Sequence, residues 1–192
     1  MTYKTSLRIE KIQERDSISK KERDLAEKKT AAHFMNTYGE LDFEKVSIYF
    51  PIKNEVPTET ITSYIRESGK KCFLPLIDKD LNNKEMKFSE FTSEASLVKN
   101  KFNIPESLNS SFVIASELEL VIMPLVAFDK KGYRLGMGQG YYDFTFKNFR
   151  LNKRQVFLGL AYDFQKTESC YPEDHDLKMD AVICPSGIYK FS

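Results

Sequence analysis

Residues 46–74 read VSIYFPIKNEVPTETITSYIRESGKKCFL, and this stretch decides the class of the fold. Val46-Ser47-Ile48-Tyr49-Phe50 is rich in β-branched and aromatic residues and stops at Pro51. That is the composition of a strand, with a residue at its end that cannot donate to a ladder. Thr58 stands where a helix needs its N-cap, a helical segment follows from Glu59 to Ser68, and Gly69 supplies the stop. Lys71-Cys72-Phe73-Leu74 is the next strand and ends at Pro75. Strand, helix and strand in this order favour a parallel pair, because a helix is the usual way back to the same end of a sheet.

The same pattern continues downstream. Leu118 to Met123 is nearly all apolar, as a strand covered on both faces should be, and Pro124 closes it. Val156 to Ala161 and Asp180 to Cys184 read as further strands. Between Leu76 and Ser116 only Met86–Phe88 suggests a strand, amid Asn, Ser and Pro. Upstream, residues 1–38 read as two helices. Leu7, Ile9 and Ile12 belong to the first, and a break falls at Asp16-Ser17. Ser19 with Glu22 matches a capping box, and Leu25, Ala31, Ala32, Met35 and Tyr38 recur at helical spacing before Gly39. The expectation is an α/β fold: a three-layer α/β/α sandwich with a largely parallel central sheet, one domain over 1–192, and residues 1–38 packing on it as a helical segment.

Composition narrows the function. The 192 residues carry 29 Lys+Arg against 28 Asp+Glu, a formal net charge of +1. A broad nucleic-acid surface would need a basic excess. Even residues 1–30 mix nine basic with six acidic side chains. No apolar run approaches the ~20 residues of a membrane span, and residues 1–11 lack the apolar stretch of a signal peptide. Cys72, Cys170 and Cys184 are odd in number and widely spaced, which fits reduced thiols in the cytoplasm. The expectation is a cytoplasmic protein with no nucleic-acid and no membrane partner.

Glycine use is uneven. The chain has only 8 Gly, and Gly132, Gly136, Gly138 and Gly140 fall within nine residues. The string is Arg134-Leu135-Gly136-Met137-Gly138-Gln139-Gly140-Tyr141-Tyr142-Asp143, leading into a helix read from Tyr141 to Phe149. Free N–H groups at a helix start attract anions, and glycine lets phosphate oxygens lie against backbone. Arg134 adds a phosphate-gripping fork, and Asp143 falls within reach of a phosphate-bound Mg²⁺. A Walker loop would need Lys and Ser/Thr after Gly140, and a Rossmann fingerprint would need Gly at Tyr141. On glycines alone, a tight strand-to-helix connection is the competing reading.

The string Met123-Pro124, Ala127-Phe128-Asp129, Gly132, Arg134-Leu135-Gly136, Gly138 and Gly140-Tyr141-Tyr142-Asp143 resembles the signature of the 5-formyltetrahydrofolate cyclo-ligase family. Lys4 with Leu7-Arg8 resembles the family's N-terminal basic motif. Tyr49-Phe50 with Asn54-Glu55-Val56 and Thr58 resembles its strand-then-Glu segment, and Pro172, His175-Asp176 and Asp180 resemble its late motif. The resemblance implies an ATP- and Mg²⁺-dependent cyclisation of 5-formyltetrahydrofolate, free or polyglutamylated, to 5,10-methenyltetrahydrofolate with release of ADP and phosphate.

Carried over residue by residue, Lys4, Arg8, Arg134, Gly136, Gly138, Gly140, Tyr141 and Tyr142 would contact ATP. Phe50, Glu55, Met137, Gly138, Gln139, Gly140 and Tyr141 would contact the folate. Asp143 and Asp176 would bind Mg²⁺, and Arg134 and Asp143 would carry the chemistry. Asp174 and Asp180 compete with Asp176 for the metal role, and His175 reads as a hydrogen-bonding loop residue. Leu125, Met137, Gln139 and Cys184-Pro185 depart from the family's usual pattern. A monomer or weak homodimer is expected. A non-catalytic nucleotide- or folate-binding module is the alternative.

Overall fold

The computed structural model describes residues 2–78, 80, 83–93, 97–100, 103–107, 111–147 and 155–191. Alternation along one strand organises both sides of the molecule. In β7 (Leu120–Pro124), Leu120 and Ile122 face one core while Val121 and Met123 face another. All four are essentially inaccessible. Successive side chains of a strand point to opposite faces, so an unbroken apolar run demands cover on both.

Chain order supplies that cover. α1 (Tyr3–Asp16) and α2 (Lys20–Tyr38) come first. The capping box is present: the Ser19 hydroxyl accepts from the Glu22 N–H at 3.3 Å, and the Glu22 carboxylate accepts from the Ser19 N–H at 2.9 Å. β1 (Lys45–Ser47), α3 (Glu59–Glu67) and β2 (Lys71–Leu76) follow. β1 and β2 are parallel, with Val46 opposite Cys72. Next are β3 (Lys87–Glu90), β4 (Leu97–Lys99), β5 (Pro105–Ser107) and β6 (Phe112–Ile114). After β7 come β8 (Ala127–Asp129), β9 (Arg134–Leu135) and α4 (Tyr141–Phe146). β10 (Val156–Leu160), β11 (Lys166–Thr167), β12 (Ala181–Cys184) and β13 (Gly187–Lys190) complete the chain.

The main sheet has eight strands in the order β13-β12-β10-β7-β1-β2-β3-β6. The five strands β12 to β2 are parallel, β13 and β3 flank them antiparallel, and β6 pairs antiparallel with β3. Ala31 and Phe34 of α2 and Ile61 and Ile65 of α3 cover one face. Phe146 of α4 with Phe128 and Met179 covers the other. This is the expected three-layer α/β fold with a largely parallel sheet. No helix among the described residues is long and apolar enough to cross a membrane.

Some boundaries differ from the sequence reading. The first strand's ladder ends at Ser47, not Phe50, because the chain turns away there to form the wall of a cleft. Thr58 makes no side-chain cap to α3. Its hydroxyl donates instead to the Tyr49 carbonyl at 3.1 Å and ties the helix start to the strand end. Residues 148 and 149 of the expected last helix lie outside the described residues. β13 is not evident in the sequence; it pairs antiparallel with β12 directly after Pro185-Ser186. Gly132, at φ +89°, closes the β8–β9 turn; a Cβ there would meet the Phe191 ring at 2.7 Å.

Candidate functional site

The sheet order reverses between β1 and β7: the chain adds β2 on one side of β1, then returns to place β7 on the other. A crevice opens at such a point beyond the strands' carboxyl ends, and ligands bind there in open α/β sheets. Here it is a cleft of about 560 Å³. Tyr49 and Phe50 after β1, Pro75 and Ile77 at the end of β2, and Pro124 and Leu125 at the end of β7 line it. The fold thus brings together on one cleft Lys4, Arg8, Phe50, Glu55, Arg134, Gly136, Met137, Gly138, Gln139, Gly140, Tyr141, Tyr142, Asp143 and Asp176.

One end is built for charge. The N-terminal turns of α1 bring in Lys4 and Arg8, four apart and therefore on one helix face. Lys4 Nζ donates to Asp176 Oδ2 at 3.0 Å and Glu173 Oε1 at 3.2 Å. Arg8 Nε donates to the Gly136 carbonyl at 2.8 Å. Arg134 Nη2 lies 3.0 Å from Asp143 Oδ1, and its Nη1 donates to the Leu177 carbonyl at 3.3 Å. The Leu177 N–H returns a bond to Asp143 Oδ1 at 3.0 Å. Burial works against charge on Asp176, yet the Glu173 N–H and the Lys4 ammonium hold its carboxyl below the usual range. Burial also opposes charge on Lys4, whose bonds to Asp176 and Glu173 nevertheless raise it.

Between these pairs runs the glycine loop. Gly138 at φ +92° and Gly140 at φ +72° occupy the left-handed region that favours glycine. A Cβ on Gly136 or Gly140 would meet nothing within 4 Å, so open space lies against this backbone. A Cβ on Gly138 would lie 3.6 Å from the Arg8 guanidinium carbon.

The other end is a buried polar pocket. Residues 52–56 form a tight loop, with Lys53 and Asn54 at positive φ. Tyr49 donates to the Val56 carbonyl at 2.7 Å, and Tyr162 donates to the Asn54 carbonyl at 3.0 Å. This loop presents Glu55, which is 6% exposed and accepts the Ile52 N–H at 3.0 Å. Burial pushes its carboxyl up to about 7, against the Ile52 N–H, Arg15 and Lys53. The Tyr142 hydroxyl is buried without a hydrogen-bond partner.

Sequence reading missed Tyr49, Lys53 and, above all, Arg15. Arg15 follows Arg8 by seven residues and Lys4 by eleven, so helical spacing extends the Lys4–Arg8 face to it. Asp174 and Asp180 are not among the cleft's lining residues, and Asp180 Oδ2 accepts the Phe157 N–H at 2.7 Å. His175 is exposed at the cleft rim, 3.9 Å from both Glu173 and Asp176.

These residues fit a nucleotide-borne Mg²⁺ better than a protein-caged ion. Among the described residues no group of three or more His, Cys, Asp or Glu could hold a metal. Asp143 and Asp176 are two carboxylates on one cleft, and Mg²⁺ on phosphates needs only one or two from protein. The open glycine backbone flanked by Arg8 and Arg134 fits the phosphates themselves.

The sequence model of the 5-formyltetrahydrofolate cyclo-ligase family matches residues 1–185. The chain is 31% identical over 160 residues to a 5-formyltetrahydrofolate cyclo-ligase of Haemophilus influenzae, covering 82% of this chain and 84% of that one. It is 30% identical over 147 residues to the mouse protein of that name, covering 73% and 72%. The solved structure of Aquifex aeolicus 5,10-methenyltetrahydrofolate synthetase superposes with a TM-score of 0.81 at 29% identity, covering 98% of this chain and 93% of that one.

Proposed function

The chain belongs to the 5-formyltetrahydrofolate cyclo-ligase family, a family of ligases, and from that premise we propose that it cyclises 5-formyltetrahydrofolate to 5,10-methenyltetrahydrofolate with ATP and Mg²⁺, releasing ADP and phosphate. The observation that carries this reading is the joining of two unlike ends in one cleft: a glycine loop between basic side chains, and a buried carboxylate beside aromatic rings.

The chemical need explains both ends. A formamide oxygen is a poor leaving group, and transfer of the γ-phosphoryl group onto it makes a good one. N10 of the folate then attacks the activated carbon, and phosphate departs with the former formyl oxygen. Charge on a transferring phosphoryl group is stabilised by cations and N–H donors fixed in place beforehand.

In this reading Arg134, Lys4 and Arg8 supply the cations, and the 136–142 loop holds the phosphates. Asp143 and Asp176 would hold Mg²⁺, which when bound shields the negative charge of the phosphates. Glu55 accepts the adjacent N–H donors of the pterin edge. Phe50 with Met137, Gln139 and Tyr141 encloses the folate.

The test is near-ultraviolet absorbance, where methenyltetrahydrofolate absorbs and the 5-formyl substrate does not. The signal is expected only when enzyme, substrate, ATP and Mg²⁺ are all present. Binding of nucleotide and folate with no absorbance rise would leave a binding module instead.

A further inference from the structure

Arg15 is 1% exposed, in the last turn of α1, and it lies behind Glu55 without lining the cleft. Its partners are few for so buried a charge. Nη1 lies 3.8 Å from Glu55 Oε1 and donates to the Leu125 carbonyl at 3.4 Å. Nε and Nη2 have no hydrogen-bond partner. Burying a guanidinium is costly unless its N–H groups are paired. A methionine or leucine would fill similar space without that cost. The charge therefore calls for an account beyond packing; it acts on the Tyr49 and Tyr162 phenols, and the carboxylate it faces is Glu55.

We propose that Arg15 is a positioning residue for folate binding: its buried guanidinium favours the ionised form of Glu55, the form that accepts the N–H donors of the pterin edge. This rests on the reading of Glu55 as the group that meets the pterin. A carboxylate offers two acceptor oxygens to adjacent N–H donors, whereas a protonated carboxyl presents one donor and would oppose one of them. With no guanidinium beside it, a carboxyl this buried takes up a proton at neutral pH.

The other groups that act on Glu55 leave Arg15 as its buried cation. Lys53 sits on the same loop. Tyr49 after β1, Tyr142 on α4 and Tyr162 after β10 also interact with it. Burial pushes all three phenols up, Tyr162 to about 12, so they stay neutral through the range in which Glu55 titrates.

The experiment is calorimetric titration of the full chain with 5-formyltetrahydrofolate in the absence of nucleotide, from about pH 6 to about pH 9. The wild-type protein is expected to bind more tightly as pH rises through about 7 and then level off. Arg15→Met is expected to move that midpoint up by at least about one unit. Near neutrality this reads as a roughly fivefold loss of affinity that disappears at the alkaline end. Arg15→Lys keeps the wild-type midpoint. Glu55→Gln abolishes the pH dependence and weakens binding at alkaline pH.

An unshifted midpoint in Arg15→Met, or a loss equal at every pH, reduces Arg15 to packing and overturns the proposal. A pH dependence that survives in Glu55→Gln belongs to another group and overturns it too. Undiminished alkaline affinity in Glu55→Gln overturns the underlying reading of Glu55 instead. If Arg15→Met does not fold, Arg15→Gln, which keeps donors without charge, carries the same expectations.

Discussion

Arg134 and Asp143 form a linked pair whose strength can be measured without any ligand. Arg134 Nη2 sits 3.0 Å from Asp143 Oδ1, with the side chains 5% and 20% exposed. At an effective dielectric of about 20, two charges 4 Å apart gain about 4 kcal/mol, and desolvation returns part of that. A charge-assisted hydrogen bond of this kind nets about 1.5–3 kcal/mol. Arg134 also donates to the Leu177 carbonyl and lies 5.6 Å from the Tyr142 ring centre. Arg134→Met should therefore destabilise the ligand-free protein by about 3 kcal/mol, and Asp143→Asn by about half that. The assay is urea unfolding of both single variants and the double variant. The expected coupling energy is at least about 1.5 kcal/mol, and a value below about 0.5 kcal/mol would refute the pairing. In turnover, each single variant should lose at least ~10²-fold in kcat/KM, about 2.7 kcal/mol of transition-state stabilisation. A folded Arg134→Met with wild-type turnover would remove Arg134 from the reaction.

Two further outcomes are expected. Gly138→Ala forces a side chain into φ +92° beside Arg8, so it should cost about 1–2 kcal/mol and weaken ATP binding; unchanged ATP affinity would return the loop to a plain connection. Glu55 titrates at about 7 in the folded chain, above its unfolded value, so its contribution to stability is full below about pH 4.5 and is lost as pH rises towards 7. Glu55→Gln should therefore match the wild type near pH 4.5 and exceed it by up to about 3 kcal/mol near pH 8; an equal difference at both pH values, read by urea midpoint, would contradict the burial argument.

Local chemistry made much of this molecule legible in advance. The apolar run ending at Pro124 required a sheet covered on both faces, and Ser19 with Glu22 marked the start of α2 from the side chains alone. The glycine cluster, between Arg134 and Asp143, pointed to the cleft because positive φ and open space leave their mark on residue type. What escaped depends on distance in the fold. Thr58 looked like a cap, but a carbonyl nine residues back takes its hydroxyl. β13 is half-buried and short, with a weak pattern of its own, and it exists because β12 offers an edge. Helical spacing puts Arg15 on the Lys4–Arg8 face, but its burial against the loop that holds Glu55 depends on how α1 packs, which local sequence does not carry.

The central claim is that the cleft activates a formyl oxygen by phosphorylation and expels it as phosphate. The most direct measurement uses 5-formyltetrahydrofolate carrying a heavy oxygen isotope in the formyl group, turned over with MgATP, and analyses the released phosphate by mass spectrometry. One labelled oxygen is expected in each phosphate formed per methenyl product. Label appearing in water while the phosphate stays unlabelled would contradict it.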